Sequence, residues 1–124
     1  MLNKSNITEM TKKGSSFNFN CWGATRYALG LTDRPIWECQ HEMEEFLGDE
    51  TSDITGNLQK GDILSLWDEW DNLMHTATYV GGGLYWHKVG AQHARYNTKK
   101  EIIELYEEFG IEGMRITRHN YLLT

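Results

Sequence analysis

Cys21, His75 and His87 are the side chains of this 124-residue sequence whose types and spacing could break an amide bond. The cysteine stands in SSFNFNCWGATRYALG, between an aromatic, asparagine-spaced stretch and an apolar-periodic segment; the histidines stand in HTATYVGGGLYWHKVG. A thiol attacks poorly until it ionises. A helix N-terminus favours the thiolate through unsatisfied N–H groups and the helix dipole, and a neighbouring imidazole favours it further. Asn20 is a good N-cap residue, which places Cys21 at the first helical position with a lowered pKa expected. His75 would act as base, and His87 is placed to hydrogen-bond its other ring nitrogen and fix its tautomer.

The two histidines meet only if the strands carrying them pair in one register. HTATYV and LYWHKV are β-prone runs joined by three glycines able to adopt positive φ, a strong hairpin signal. With a three-residue loop at Gly81, Gly82 and Gly83, Val80 faces Leu84, Ala77 faces His87 and His75 faces Val89. His75 and His87 then lie on one face as diagonal neighbours, with Cα atoms roughly 7–8 Å apart. A slip of one residue would send them to opposite faces.

Other elements must bring the thiol to that hairpin. Residues 1–16 are polar and predict a frayed arm draped near Phe17 and Phe19, leaving 17–124 as a single domain. Ala24, Tyr27, Ala28 and Leu31 follow helical spacing from Cys21, and Gly30 suits the position after the last turn. Pro35 can open a second helix, with Ile36, Cys39, Met43, Phe46 and Leu47 on one face, Glu38, Glu42 and Glu45 on another, and Gly48 as its stop. Cys39 is therefore expected in the core. Gly61-Asp62 is a turn before a strand over 63–67, and Trp86, alternating with His87, should pack against a helix from the opposite face. Thr98 and Glu101 form a capping box opening a third helix with Ile102, Ile103, Leu105, Tyr106 and Phe109, stopped by Gly110. GMRITRHNYL closes the chain as a strand with Met114, Ile116 and Arg118 on one side. The order reads as α+β.

NCWGATRYALG, then KGDIL, then HTATYVGGGLYWHKVG resembles, in order and spacing over about residues 17–90, the NlpC family of papain-like cysteine peptidases and amidases. The resemblance implies a minimal papain-like domain in which an N-terminal nucleophile helix packs on an antiparallel sheet. It implies Cys21 as nucleophile, His75 as base and His87 as orienting residue, acting on an amide of peptidoglycan stem peptides through a thioester. The family commonly has Ser-Gly after the cysteine; this chain has Trp22 and Gly23.

Composition bounds the alternatives. A net charge of −6, from 12 Lys+Arg against 18 Asp+Glu, excludes the basic face that sequence-independent binding to nucleic acid or anionic membrane needs. Two cysteines are too few for a disulfide scaffold, and the first ten residues have no apolar signal region, so the expected site of synthesis and residence is the cytoplasm, with delivery outside the cell by a non-classical route for a wall substrate. No cofactor is expected. A zinc site on Cys21, His75 and His87 is the metal alternative. The expected partners are a peptide or peptidoglycan-fragment substrate and an inhibitor or immunity protein. Two other functions fit the same fold: an effector-like deamidase, protease or acyltransferase acting on a protein or small metabolite, and a non-catalytic binding module in which Cys21 is only a small buried hydrophobe. His41 and His93 are expected on the surface, His119 has no visible partner, and the acidic DEWD at 68–71 could rim a groove.

Overall fold

The computed structural model describes residues 2–13, 19–90 and 92–123. The elements in chain order are α1 (Lys4–Lys13), α2 (Cys21–Ala28), α3 (Gln40–Glu50), β1 (Thr51–Asp53), β2 (Ile63–Asp68), β3 (Leu73–Gly81), β4 (Leu84–Lys88), β5 (Ala94–Thr98), α4 (Lys99–Tyr106) and β6 (Ile111–His119). Short 3₁₀ turns follow α4 and β6. The strands form one antiparallel sheet in the order β1-β6-β2-β3-β4-β5, giving the expected α+β architecture.

Strand alternation sorts the core onto two faces. On one face, Trp86 and Ala94 pack with Ala24 and Tyr27 of α2 and with Ile7 and Met10, while Ile63 and Trp67 pack with Met43 and Phe46 of α3. On the other, Leu64, Leu66, Ala77 and Tyr85 meet Ile102 of α4. Ile7 and Met10 belong to α1, where a frayed arm was expected. That helix carries only a short apolar stripe, so its sequence looks like a polar tail. It is held by burial of those two side chains and by the Thr11 hydroxyl, which accepts from the Trp86 indole N–H at 3.0 Å. Residues 14–16, and Phe17, lie outside the described residues.

Helix α2 begins at Cys21 as the cap predicted. The Asn20 Oδ1 accepts from the Gly23 N–H at 3.0 Å, and Gly30, at φ 71°, follows the end of the helix. The same asparagine amide also binds the backbone of Glu38 on both sides, donating to its carbonyl at 2.7 Å and accepting from its N–H at 3.2 Å. This explains why α3 starts at Gln40 rather than at Pro35. Residues 36–38 are held out of helix against the start of α2, and Ile36 comes so close that a Cβ on Gly23 would sit 1.7 Å from its carbonyl oxygen. The later start reverses two expectations. Cys39 is exposed at the N-cap of α3 instead of lying in the core, and Glu38 is buried, its carboxylate accepting from Arg26 at 3.0 Å. Gly48 lies inside α3, which runs on to Glu50.

The Gly61-Asp62 turn precedes β2 as expected, and Asp62 has a further task. Its buried carboxylate accepts from Arg118 Nε at 2.7 Å and Nη2 at 2.9 Å, tying the start of β2 to β6. Strands β1 and β5 were not foreseen, and β6 begins earlier than expected, at Ile111.

Replacing Gly23 tests the contact between α2 and residues 36–38. Alanine at an ordinary helical glycine gains up to about 1 kcal/mol. Here the clash is with backbone, so Gly23→Ala is expected to lower the urea-unfolding free energy by about 3 kcal/mol; a gain in stability would contradict the packing.

Candidate functional site

The site is built where β3 and β4 part. Their described ladder pairs Thr78 with Trp86 and Tyr79 with Tyr85, the register expected from the glycine loop; only next to the turn does it differ, Gly81 rather than Val80 standing opposite Leu84. Alternate N–H groups of an antiparallel strand point to alternate neighbours. The Tyr79 N–H donates to the Asp62 carbonyl on the β2 side at 2.8 Å, so the N–H groups of Thr78 and Thr76 point towards β4. Among the described residues the β3–β4 ladder does not reach Thr76. Its N–H is instead directed at the Cys21 thiol, joined by the N–H groups of Trp22 and of Cys21 itself. Hydroxyl contacts lock the helix to the strand: Thr25 and Thr76 share a 2.7 Å hydrogen bond, and the Thr76 hydroxyl donates to the Cys21 carbonyl at 3.4 Å.

His75 and His87 project to the α4 face, both 1% exposed. Their rings are joined by a hydrogen bond of 2.8 Å between His75 Nε2 and His87 Nδ1, the interaction that strand register implied. A bulge helps to aim His75: Leu66 pairs with His75, yet Trp67 pairs with Leu73, so Met74 is the extra residue beside it. The His75 ring is stacked on Tyr106 of α4, with centroids 4.2 Å apart and planes at 24°. His87 Nε2 in turn meets the Asn97 Oδ1 at 2.8 Å. Sequence reasoning missed Asn97 and Tyr106. The signal for Asn97 was its place one residue before the Thr98 cap, at the end of a strand whose Arg95 pairs with His87.

The sulfur lies at the gap on the α2 face of the sheet, the face opposite to the one that carries the two histidines. Among the described residues no hydrogen bond joins the sulfur to either imidazole in this state. The connection is through Tyr106, which is stacked on His75 and feels the charge that the thiol would carry; Lys88 of β4 feels that charge too. The Lys88 ammonium is buried, donates to the Gly90 carbonyl at 2.6 Å and lies 4.8 Å from the centre of the Phe19 ring.

The other histidines stand apart. His41 is exposed and contacts Glu45 at 2.8 Å, and His93 is exposed. His119, without an expected partner, stacks on Phe46, and its Nδ1 accepts from the Tyr121 N–H at 3.1 Å. Among the described residues no three His, Cys, Asp or Glu side chains are grouped to hold a metal ion.

Solved structures share this arrangement of elements. NlpC1 from Trichomonas vaginalis superposes with a TM-score of 0.53 at 15% identity over 91% of this chain, and a lipoprotein-like NLP/P60 family protein from Staphylococcus aureus subsp. aureus Mu50 with 0.51 at 16% identity over 90%. The fold is of the NlpC/P60 type. This chain spans 42% and 40% of the lengths of those two proteins. The NlpC/p60 domain of the peptidoglycan hydrolase SagA is matched over 97% of its length and 94% of this chain at 18% identity, with a TM-score of 0.47. No protein-family model matches the sequence, and no curated protein is similar to it.

The electrostatics of this site correct one expectation. The thiol pKa is not lowered. Burial pushes it up to about 11, against the opposing pull of the N–H groups of Thr76, Trp22 and Cys21 and of the Lys88 charge. Cys21 as a residue is half-buried, but the groups packed around its sulfur strip away hydration that a thiolate would need. Burial also holds both imidazoles neutral. His75 lies well below its ordinary value, through desolvation and then the proximity of His87; His87 is lowered by desolvation, opposed by its bond to Asn97. The resting site is thus a neutral thiol beside neutral rings.

This state gives stability a definite pH dependence. Histidines depressed in the folded protein contribute stability that is present above the unfolded pKa of about 6.5 and lost as pH falls through their folded values. Melting temperature is expected to fall as pH drops below about 6.5, and to fall less steeply in a His75→Gln, His87→Gln double variant. Equal slopes for the two proteins would show that the rings are not held neutral by the fold.

Proposed function

We propose that the protein is a cysteine amidase or peptidase that hydrolyses an amide bond through a thioester, in peptidoglycan stem peptides. The observation that carries the reading is the 2.8 Å bond between His75 Nε2 and His87 Nδ1, which, with His75 Nε2 as the donor, leaves His75 Nδ1 to take a proton. The first residue of α2 supplies the nucleophile, and the resemblance to NlpC peptidases in Cys21, His75 and His87 supplies the substrate class.

Because thiol and imidazole both rest neutral, proton transfer and attack occur together. His75 Nδ1 takes the thiol proton as the sulfur bonds to the amide carbon, and the C=O electron pair moves onto oxygen. The N–H groups of Cys21 and Trp22, which face the resting sulfur at the start of α2 and have no acceptor within the helix, would turn to the oxyanion as it forms. The imidazolium then protonates the departing nitrogen as the C–N bond breaks, leaving a thioester. Water, losing its proton to the now neutral His75, attacks the thioester; the carboxylic acid leaves and the thiol takes back its proton. Each cycle adds one water across the amide.

Purified sacculi test the substrate class. The wild type is expected to release soluble peptide fragments or new amine termini, and Cys21→Ala to release none above buffer. Absence of release by the wild type would remove peptidoglycan as substrate. A non-catalytic binding module is the second reading, favoured by the raised thiol pKa. It predicts saturable binding of sacculi by wild type and Cys21→Ala alike, with no new termini from either.

A further inference from the structure

One buried charge has no part in the steps above. Lys88 is among the largest fully buried side chains, and its ammonium donates to the Gly90 carbonyl at 2.6 Å. We propose that the Lys88 ammonium stabilises the negative charge that develops at Cys21 during acylation, and that the fold carries it at a cost in stability. The proposal rests on the reading of Cys21 as nucleophile and adds a charged group on the sulfur's own face of the sheet.

Strand alternation puts Lys88 on the face opposite to His87. It pairs with Ala94 of β5, which is buried with Phe19, Ala24 and Tyr27 on the α2 face. The ammonium lies 4.8 Å from the centre of the Phe19 ring, two residues before Cys21, and Ala24 of the same cluster stands three residues after Cys21 on the next turn of α2. On the other side of the gap, the pairing of Thr78 with Trp86 sets Lys88 level with Thr76, whose hydroxyl donates to the Cys21 carbonyl at 3.4 Å. The ammonium is therefore held beside the first turn of α2, among the residues that surround Cys21.

An ammonium needs acceptors for its N–H groups and an environment that screens its charge, and burial withdraws the water that supplies both. No carboxylate bonds to Lys88 among the described residues. Of the acidic groups on the neighbouring segments, Glu9 of α1 accepts from the Tyr27 hydroxyl at 3.3 Å and Glu38 from Arg26 at 3.0 Å. The Phe19 ring and the Gly90 carbonyl offer partial negative charge only. A buried cation without an anion weighs against folding, and an apolar side chain of similar volume in its place is often stabilising. That cost is offset when an anion forms beside it, and thiol attack forms one: the sulfur becomes negative as its proton leaves, and the charge passes to the carbonyl oxygen. Lys88 gains and loses no proton in these steps. It acts as a fixed charge, felt more by the charged transition state than by the neutral resting thiol. In agreement, burial raises the thiol pKa and lowers that of the lysine, and the charge of each opposes the shift of the other.

The test pairs thermal melting with acylation of Cys21 by an uncharged activated ester, in the full chain. Every protein carries Cys39→Ser, because the exposed Cys39 would also react and serine is a good residue for its N-cap position. Lys88→Met removes the charge and keeps the volume. It is expected to melt about 3 °C or more above the parent at pH 7 and to acylate at least about tenfold more slowly. Lys88→Gln keeps an N–H donor without the charge and is expected to acylate as slowly as Lys88→Met. A fall in melting temperature for Lys88→Met would show that the lysine serves to hold the fold, and acylation at the parent rate in either variant would show that its charge has no part in the chemistry; either result overturns the proposal. In a His75→Ala background the further loss caused by Lys88→Met is expected to remain, since the charge acts on the sulfur and not through the base; its disappearance would overturn the assignment. Variants that respond in this way in a protein that releases nothing from sacculi would sustain the inference while sinking the peptidoglycan reading; sacculus hydrolysis undiminished in Lys88→Met would do the reverse.

Discussion

Buried backbone N–H groups must find acceptors, and the one on Thr76 has lost its strand neighbour. Beyond Thr78 and Trp86 the two strands of the glycine hairpin no longer pair, and the amide that would have continued the ladder is given to the sulfur of Cys21. This departure from regular pairing lies where the first residue of α2 meets β3. The Met74 bulge lies beside it on the same strand, and the Thr25–Thr76 hydroxyl bond fastens α2 across it. A fully zipped hairpin would satisfy Thr76 within the sheet and leave the thiol confined to the α2 face. At the gap the thiol and His75, carried by elements on opposite faces, share Tyr106 as a neighbour.

The second constraint is desolvation. Two imidazoles with almost no exposed surface, joined by one hydrogen bond, cannot both hold protons without opposing each other in a medium that hydrates neither. They rest neutral, and so does the thiol, whose pKa stands at about 11. In the proposed reaction ionisation is therefore deferred to the moment of attack, when the proton lost by sulfur would move within the site.

Much of this was legible in residue types and spacing. The diagonal placement of His75 and His87 follows from period-two alternation and the length of a glycine loop, and Asn20 announces the start of α2 because few other side chains satisfy a free helix N–H so well. The parts that were not legible depend on contacts between distant segments. Helix α1 has too few apolar residues to be distinguished from a tail until Trp86 and Ala94 are seen to receive Ile7 and Met10. Residues 36–38 carry helical spacing, but their contacts with Asn20 and Gly23 keep them out of helix, which moves Cys39 out of the core and Glu38 into it. Asn97 was hidden by its own local sense: an asparagine before a helix cap looks like turn chemistry, and only the pairing of β4 with β5 reveals that its amide also faces His87. The thiol pKa was misjudged because helix position speaks for the thiolate, whereas packing around the sulfur, invisible in sequence, speaks more strongly against it.

General-base removal of the thiol proton by His75 is the claim on which the enzymatic account stands, and single-turnover acylation of Cys21 by an activated ester, followed by intact-mass measurement, reads it without knowledge of the natural substrate. With the ring as base, the wild type acylates at a rate that is level across neutral pH, and His75→Ala loses about a hundredfold or more. Equal rates in the two proteins, both rising with pH only as the thiol itself ionises, would contradict it.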